Sequence, residues 1–234
     1  MSVLELPGAV NLRDVGGIPV GDGRIRSGVL FRSGQLAGLT IEGGTMLRAR
    51  VRRIVDLRDD VEVRHQPSAL QGVAITRVPL FLGSVASFFT DDVSLEGMYR
   101  GLIEQSAHRL VEVVRVIAAG EPTLVHCTAG KDRTGVSIAL ALSAVGADRD
   151  AVVADYALTE TLMPPERRSQ IEARVLAQHP EARNAAALAT RSPAPIMQAL
   201  LDEIDRNHGS AAQYLLDAGL SAAELRELTA ALVD

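Results

Sequence analysis

Cysteine, lysine and tryptophan are the residues that this chain of 234 residues has least of. It contains one cysteine, Cys127, one lysine, Lys131, and no tryptophan. A single cysteine excludes an intramolecular disulfide and fits a reducing compartment. Aromatic residues make up only 3% of the chain, so its core must be mainly aliphatic.

The chain also lacks the charge and the apolar runs of nucleic-acid-binding and membrane proteins. Its net charge of −5 argues against broad electrostatic binding to nucleic acid or anionic membranes, so a phosphate site must build its positive potential locally. No apolar run reaches the length of a membrane span, and residues 1–8 have neither the basic start nor the apolar core of a signal peptide. We therefore expect a cytoplasmic protein without an integral membrane segment.

The composition that is present is that of an ordinary globular protein, with 47% hydrophobic and 23% charged residues. No internal repeat or low-complexity linker divides it, so residues 1–234 are predicted to form a single domain. Strand-like and helix-like segments alternate, which predicts an α/β fold with a central, largely parallel sheet and helices on both faces. Beyond Gly146 the pattern is nearly all helical, and the helices are expected at residues 148–160, 164–178, 196–206 and 221–232. A loop is predicted around residues 180–195.

Both rare residues fall in one short stretch, His126-Cys127-Thr128-Ala129-Gly130-Lys131-Asp132-Arg133-Thr134-Gly135. The apolar run before it is typical of a buried strand, and the run after it indicates a buried helix that opens at about Arg133. The stretch therefore joins the carboxyl end of a strand to the N-terminus of a helix. Unpaired backbone N–H groups and the helix dipole favour an anion at such a position.

This arrangement suits the hydrolysis of a phosphate ester through a phosphocysteine. A thiol at a helix N-terminus beside cations is readily converted to a thiolate, which makes Cys127 the predicted nucleophile. The five residues between Cys127 and Arg133 can curl into a nest of N–H donors around a phosphate. Arg133 can grip two phosphate oxygens with its planar fork, and Thr134 can donate a hydrogen bond to the sulfur. The predicted phosphate-binding residues are Thr128, Ala129, Gly130, Lys131, Asp132 and Arg133.

The stretch is less typical of a structural cysteine, a nucleotide-binding loop or a structural turn. A lone cysteine is usually a buried small hydrophobe. A nucleotide-binding phosphate loop would need glycine at position 125, where Val125 stands, and serine or threonine at the position of Asp132. A structural turn would not need Cys, Lys, Asp and Arg together.

The pattern His-Cys-x5-Arg-Thr resembles the signature of the cysteine-dependent protein tyrosine and dual-specificity phosphatases. The extended form over residues 130–135 is similar to a bacterial branch of that family. Further pieces agree in order along the chain: Asn11-Leu12-Arg13-Asp14, residues 28–33, Asp56-Leu57-Arg58 and residues 214–219. The resemblance implies a protein tyrosine phosphatase fold and activity on phosphotyrosine, phosphoserine or phosphothreonine proteins and phosphoinositides. The family also includes exported effectors without a typical signal, so export stays open.

The resemblance further implies that helices after the catalytic core form a lid over the site. The candidate lid is residues 163–191, with Arg167, Arg168 and Arg174 as substrate-facing cations or as part of a solvated basic face. It also implies that Asn11, Arg13 and Asp14 brace the region beside the catalytic loop. For these residues, and for Arg32 and Ser33, a structural brace and a substrate contact are both left open. The mechanism needs no cofactor, and no spacing of His, Asp or Glu suggests a metal.

Three residues of the stretch receive supporting or acid–base roles. His126 is expected to be a buried support that sets the environment of Cys127 through a hydrogen bond. Lys131 is expected to add charge at the pocket mouth and to favour substrates with a second phosphate. The leaving oxygen needs a proton donor. The resemblance implies an acidic loop near residues 80–90, but no carboxylate occurs there. Asp132 is therefore the first candidate, and the alternative is that it orients the loop and Arg133 structurally. Weaker candidates are Asp59, Asp91 and Asp92. Outside the stretch, Arg58 and Glu62 are spaced to pair across a turn.

The functional alternatives that stay open are a dedicated phosphoinositide or inositol phosphate phosphatase and an inactive phospho-binding module. A phosphorylated protein or a phosphoinositide is the expected partner, nucleic acid is not, and the oligomeric state is left open.

Overall fold

The structure is a computed structural model that describes residues 1–80 and 91–234. Residues 81–90, where the resemblance implies an acidic loop but the sequence has no carboxylate, lie outside the described residues. The strands of the described part are β1 (Ser2–Val3), β2 (Arg13–Asp14), β3 (Pro19–Val20), β4 (Gly23–Arg24), β5 (Leu30–Ser33), β6 (Arg53–Asp56), β7 (Ala74–Arg77) and β8 (Thr123–His126).

The described strands form a six-stranded sheet and a separate two-stranded hairpin. The sheet has the order β1-β2-β5-β8-β6-β7, and the hairpin pairs β3 with β4. Strands β5, β8, β6 and β7 run parallel, whereas β1 and β2 pair antiparallel at one edge. The predicted central, largely parallel sheet is confirmed.

The helices of the described residues are α1 (Ile41–Arg48), α2 (Asp60–His65), α3 (Leu95–Gln105), α4 (Ala107–Ala118), α5 (Asp132–Ala144), α6 (Arg149–Thr161), α7 (Pro165–Gln178), α8 (Ala185–Thr190), α9 (Ala194–His208), α10 (Ala211–Asp217) and α11 (Ala222–Leu232). The prediction of a loop over residues 180–195 was wrong in part, because α8 lies within it. Its sequence, Ala-Ala-Ala-Leu-Ala-Thr, is rich in the best helix former but too short to show a helical period. None of the described helices is long and apolar enough to cross a membrane.

Apolar side chains pack on both faces of the sheet. Alternating residues of one strand point to opposite faces, so Leu124 belongs to the smaller core cluster with α1, and Val125 belongs to the larger one. The larger cluster also contains much of α5, whose residues from Arg133 to Leu142 are all buried. A helix that is buried all round must be enclosed by other elements, and α5 therefore fixes the loop before it to the centre of the molecule. Helix α7 has no buried residue.

The parallel register brings the last residues of three neighbouring strands into one row. His126 of β8 is level with Ser33 of β5 on one side and with Asp56 of β6 on the other. Chain segments that leave the carboxyl ends of adjacent parallel strands meet at one edge of the sheet, where such folds bind ligands. The stretch around Cys127 leaves β8 at this edge.

Candidate active site

The loop between β8 and α5 has a backbone shape that only glycine permits at Gly130. Helix α5 begins at Asp132, one residue before the predicted start. Gly130 has a φ of +71°, and a Cβ atom there would lie 2.3 Å from the carbonyl oxygen of Ser33. Glycine at this position lets the loop turn tightly against β5 and return to the start of the helix.

Cys127 lies at the bottom of this loop and is almost fully buried. The backbone N–H of Gly130 donates a hydrogen bond to its sulfur over 3.2 Å. A backbone donor on the sulfur stabilises a thiolate more than a thiol. The hydroxyl oxygen of Thr134 is buried and has no hydrogen-bond partner among residues 1–80 and 91–234. The predicted bond from Thr134 to the Cys127 sulfur therefore stays a prediction.

Arg133 is held by Glu62 of α2. The two terminal nitrogens of the guanidinium, Nη1 and Nη2, lie 2.7 Å from the two carboxylate oxygens of Glu62, and Nη1 also approaches the carbonyl oxygen of Leu57 at 3.3 Å. The hydroxyl of Thr128, in the loop, donates to the same carboxylate over 2.5 Å. Glu62 thus links the predicted phosphate clamp to the loop that it serves.

The charges of this pair stabilise each other. Burial acts to raise the pKa of Glu62, but the hydrogen bonds and the charge of Arg133 outweigh it and lower that pKa to about 2. Burial acts to lower the pKa of Arg133, and the hydrogen-bonded Glu62 carboxylate, with Cys127 and Asp132 nearby, raises it instead. Glu62 is therefore ionised and Arg133 is charged at neutral pH.

The predicted pairing of Arg58 with Glu62 was wrong. Arg58 binds Asp56, the last residue of β6, through Nε at 2.9 Å and Nη2 at 2.8 Å. Glu62 is the third residue of a helix capped by Asp59, and its carboxylate accepts from the backbone N–H of Asp59 while it faces Arg133. Sequence spacing showed which charges were close along the chain but not that α2 would lie beside the start of α5.

Lys131 does not lie at the mouth of the site as predicted. Its side chain is 1% exposed, and its Nζ donates to the carbonyl oxygens of Leu188 and Arg191 over 2.8 Å each. The final carbonyls of a helix have no partner within it and attract a cation, and the end of α8 supplies such a site. Lys131 therefore ties the catalytic loop to the candidate lid, residues 163–191.

Asp132 accepts a hydrogen bond from Tyr99, one of a buried pair of tyrosines that the sequence analysis did not single out. Its Oδ1 atom lies 2.7 Å from the hydroxyl of Tyr99 and 3.1 Å from Nζ of Lys131. The hydroxyl of Tyr99 is also 2.7 Å from that of Tyr156. Buried tyrosine hydroxyls need partners, so the scarcity of tyrosine, with three in the whole chain, was a usable signal.

His126 is buried between the loop and Asp56. Its Nδ1 is 3.3 Å from the carbonyl oxygen of Cys127, and its Nε2 is 3.7 Å from Oδ2 of Asp56. Burial lowers the pKa of His126 although Asp56 acts in the opposite direction, so the imidazole is neutral near pH 7. The predicted buried support agrees with this position; its hydrogen-bond contact among the described residues is with the backbone of Cys127 and not with the sulfur.

A buried ion-pair network braces the outer side of the loop. Asp155 of α6 binds Nε of Arg13 at 2.8 Å and Nη1 of Arg32. Arg32 donates to the carbonyl oxygen of Gly130 over 2.9 Å, and the side chain of Asn11 donates to the same oxygen over 3.0 Å. Because this carbonyl is held outward, the N–H groups of the loop can face the opposite side, towards an anion. Asn11, Arg13 and Arg32 are thus braces, and Asp155 is the member that sequence reasoning missed.

Two of the remaining acid candidates, Asp59 and Asp92, make contacts elsewhere. Asp59 caps α2, and Asp92 accepts from the backbone N–H of Asn184 over 2.8 Å, beside the start of α8. Asp14 accepts from the backbone N–H groups of Gly16 and Gly28 and so braces a turn rather than the loop itself. No cluster of three or more His, Cys, Asp and Glu side chains with a metal-binding arrangement occurs in the part of the chain that the structure describes.

A pocket of about 230 Å³ opens beside Thr128 and Ala129 of the loop. The candidate lid contributes Met163 and Arg167 to its lining. Arg168 instead donates to the carbonyl oxygen of Glu160, between α6 and α7. Arg167 is thus a lid arginine that lines a pocket next to the loop.

Comparison with known proteins identifies the family of this chain. The model of the tyrosine phosphatase family matches residues 4–234. The triple specificity protein phosphatase PtpB of Mycobacterium tuberculosis is 30% identical over an alignment of 286 positions that covers all of both chains. A protein of Cupriavidus necator that carries the name of a tyrosine-protein phosphatase is 30% identical over 238 positions, or 92% of this chain and 84% of its own.

Solved structures of the Pseudomonas aeruginosa protein TpbA align with 76% of this chain and with 89–90% of their own, at 17–18% identity. Their TM-scores of 0.37 and 0.38 are too low to support a structural argument. The family match and the two relatives decide the class: the chain belongs to the tyrosine phosphatase family. It is a cysteine-dependent phosphoric monoester hydrolase.

Proposed function

We propose that the protein hydrolyses phosphotyrosine in proteins, with Cys127 as nucleophile, Arg133 as phosphate clamp and Asp132 as general acid. The observation that carries this proposal is the loop itself. A buried cysteine with a backbone N–H on its sulfur and an arginine fixed by Glu62 stand at the ends of one glycine-shaped turn.

The reaction has two steps. The Cys127 thiolate attacks phosphorus, the bond from phosphorus to the ester oxygen breaks, and Asp132 gives its proton to that oxygen. Water then attacks the phosphocysteine, the sulfur–phosphorus bond breaks, and Asp132 takes a proton from the water. Throughout, the loop N–H groups and Arg133 stabilise the charge on the three other oxygens of the transferring group.

Glu62 contributes to this reaction by keeping the guanidinium of Arg133 in one orientation. Both terminal nitrogens are held by one carboxylate, so the arginine loses little conformational entropy when phosphate arrives. The neutral His126 adds no charge beneath the thiolate, since burial keeps its pKa low.

A wider substrate range is the second candidate. The name of the mycobacterial relative states triple specificity, and we extend the proposal to phosphoserine or phosphothreonine proteins and phosphoinositides on that basis. The unexposed position of Lys131 does not favour lipids with a second phosphate unless α8 moves away from it. We place the activity in the cytoplasm, because Cys127 must stay reduced to act as a thiolate.

The test is phosphate release from a phosphotyrosine peptide, matched phosphoserine and phosphothreonine peptides and a phosphoinositide panel. Wild type and Cys127→Ser are compared without added metal and with chelator present. We expect turnover in wild type that is unaffected by chelator and absent in the variant, with phosphotyrosine as the best substrate. Loss of activity in chelator would contradict the thiolate mechanism, and tight binding without turnover would indicate a phospho-binding module.

A further inference from the structure

The two oxygens of the Asp132 carboxylate have different surroundings. Oδ1 accepts from the hydroxyl of Tyr99 at 2.7 Å and lies 3.1 Å from the ammonium of Lys131. For Oδ2, the described residues provide no hydrogen-bond donor, and a fifth of the Asp132 side chain is exposed. An oxygen that accepts from a hydroxyl and lies beside an ammonium cannot also point its own proton at them, so a protonated Asp132 carries its proton on Oδ2.

From this arrangement we infer that Tyr99 is a positioning residue that directs the proton of Asp132 towards the leaving oxygen of the substrate. The inference rests on the proposed function, because it requires Asp132 to be the general acid. Tyr99 does not touch substrate in this view. It acts by holding Oδ1, which leaves the protonated oxygen Oδ2 to donate to the leaving oxygen.

The surroundings of Tyr99 fix the direction of the two hydrogen bonds that its hydroxyl makes. The residue is fully buried in α3, and its ring packs edge-on against that of Tyr156 with the ring centres 6.0 Å apart. A tyrosine hydroxyl has a single proton, so if Tyr99 donates to Asp132, Tyr156 must be the donor in the bond between the two hydroxyls. The result is a directed chain from Tyr156 through Tyr99 to Asp132.

The donor state of Tyr99 holds over the working pH range. Burial and the charge of Asp132 raise the pKa of Tyr99, so the hydroxyl keeps its proton well above neutral pH. The groups around it come from three helices: Tyr99 lies on α3, Lys131 and Asp132 lie at the start of α5, and Tyr156 lies on α6. The chain of hydroxyls is therefore fixed to the rigid interior and not to the candidate lid.

Close packing explains why Tyr156 can take part. A Cβ atom at Gly135, in the first turn of α5, would lie 2.9 Å from the Tyr156 ring. The absence of a side chain at Gly135 lets Tyr156 approach the turn that presents Asp132. The third tyrosine, Tyr214, is also buried but donates to the carbonyl oxygen of Ile103 at the far end of α3. It provides a matched control.

The experiment measures kcat/KM for a series of phosphate esters from p-nitrophenyl phosphate, whose leaving group needs little protonation, to phenyl and alkyl phosphates, whose leaving groups need it strongly. kcat/KM reports the steps up to formation of the phosphocysteine, in which the acid acts. The enzymes compared are wild type, Asp132→Asn, Tyr99→Phe, Tyr156→Phe and Tyr214→Phe. Each tyrosine variant removes one hydroxyl and keeps the ring.

For Asp132→Asn we expect a loss of about 100-fold on phenyl and alkyl phosphates and a much smaller one on p-nitrophenyl phosphate, since general acid catalysis contributes at least that much. For Tyr99→Phe we expect kcat/KM to fall about tenfold for the esters with poor leaving groups and less than about threefold for p-nitrophenyl phosphate, because the variant misdirects the acid without removing it. Tyr214→Phe should lower kcat/KM by the same factor for all substrates or leave it unchanged.

The outcomes separate the inference from the proposed function. A Tyr99→Phe loss that is equal for all leaving groups, while Asp132→Asn is selective, would overturn the positioning role and leave the acid in place. An Asp132→Asn variant without selectivity would overturn the acid role and the inference with it. If Tyr99→Phe does not fold, Tyr156→Phe decides, because it removes the donor that orients Tyr99 and should give a smaller loss with the same selectivity.

Discussion

Gly130 shows at the scale of one residue how closely the catalytic loop meets the sheet. We expect Gly130→Ala to abolish phosphatase activity and to lower the free energy of unfolding by several kcal/mol, because its Cβ atom would lie 2.3 Å from Ser33 O at a φ of +71°. Gly146→Ala is the control: its φ is +78°, but a Cβ atom there meets nothing within 4 Å. Backbone strain alone should lower the free energy of unfolding of that variant by about 1–2 kcal/mol and leave its activity unchanged. Urea denaturation measures the stability of the two variants, and phosphate release measures their activity. Equal losses in the two variants would contradict the steric argument.

Also at the residue scale, the lowered pKa of Glu62 predicts how the stability of the protein depends on pH. Its pKa falls from the ordinary value of 4.5 to about 2 on folding, so it contributes stability that is complete above pH 4.5 and is lost as the pH falls towards 2. Since one pKa unit corresponds to about 1.4 kcal/mol, Glu62→Gln should cost up to about 3 kcal/mol near neutral pH. The difference from wild type should shrink steadily between pH 4.5 and the lowest pH at which the protein folds.

Urea denaturation at a series of pH values tests this, with Glu121→Gln as the control. Glu121 pairs with Arg53, but both side chains are substantially exposed, so its replacement should cost less than about 1 kcal/mol. A Glu62→Gln difference that is independent of pH would show that the carboxylate charge is not what stabilises Arg133.

At the scale of elements, α6 is connected to the sheet by one buried carboxylate. Asp155 is 1% exposed and forms ion pairs with both Arg13 of β2 and Arg32 of β5. We expect Asp155→Asn to lower the free energy of unfolding by about 3–5 kcal/mol, since it leaves two buried arginines without a countercharge. Asp202→Asn, which weakens an exposed pair with Arg149, should cost less than about 1 kcal/mol. Similar costs for both, measured by denaturant unfolding, would contradict the bracing role.

The contact between Lys131 and α8 predicts a local effect on dynamics. Lys131→Met removes two hydrogen bonds from an ammonium to the last carbonyls around α8. Because a hydrogen bond to a charged group contributes about 1.5–3 kcal/mol, amide hydrogen exchange across residues 185–191 should accelerate by about tenfold or more. Mass spectrometry of exchanged peptides measures it, and Arg226→Met on α11 is the control. Acceleration spread evenly over the molecule would indicate a general loss of stability rather than release of α8.

At the scale of the whole molecule, the sequence predicted the parallel sheet, most helices after Gly146 and the loop that carries Cys127 and Arg133. These features depend on local patterns: apolar runs of strand length, helix periodicity, and one stretch that concentrates the rare residues. Such signals survive without knowledge of the tertiary structure because each lies within a short window. Gly130 is a good example, since its place in the stretch alone made it a predicted phosphate-binding residue.

The partners of charged residues could not be predicted in the same way. Glu62 was assigned to Arg58, close by in the sequence, but binds Arg133, which is 71 positions away. Lys131 was expected at the pocket mouth and instead binds carbonyls that lie 57 and 60 positions further along the chain. Which charges meet depends on how helices pack across the edge of the sheet, and a single sequence does not record that packing. For the same reason, Tyr99 and Asp155 were not predicted to contact the site.

The strand order has a consequence for how the protein is made. Strands β5 and β6 do not pair with each other, because β8 lies between them, and β8 comes much later in the chain than β6. A nascent chain that leaves the ribosome from its N-terminus therefore holds a divided sheet until Thr123–His126 emerges. The ion-pair partner of Arg13 and Arg32 is synthesised later still, because Asp155 lies 142 and 123 positions further along the chain. We therefore expect newly synthesised chains, with open strand edges and uncompensated charge, to be prone to aggregation until the strand before the catalytic loop closes the sheet.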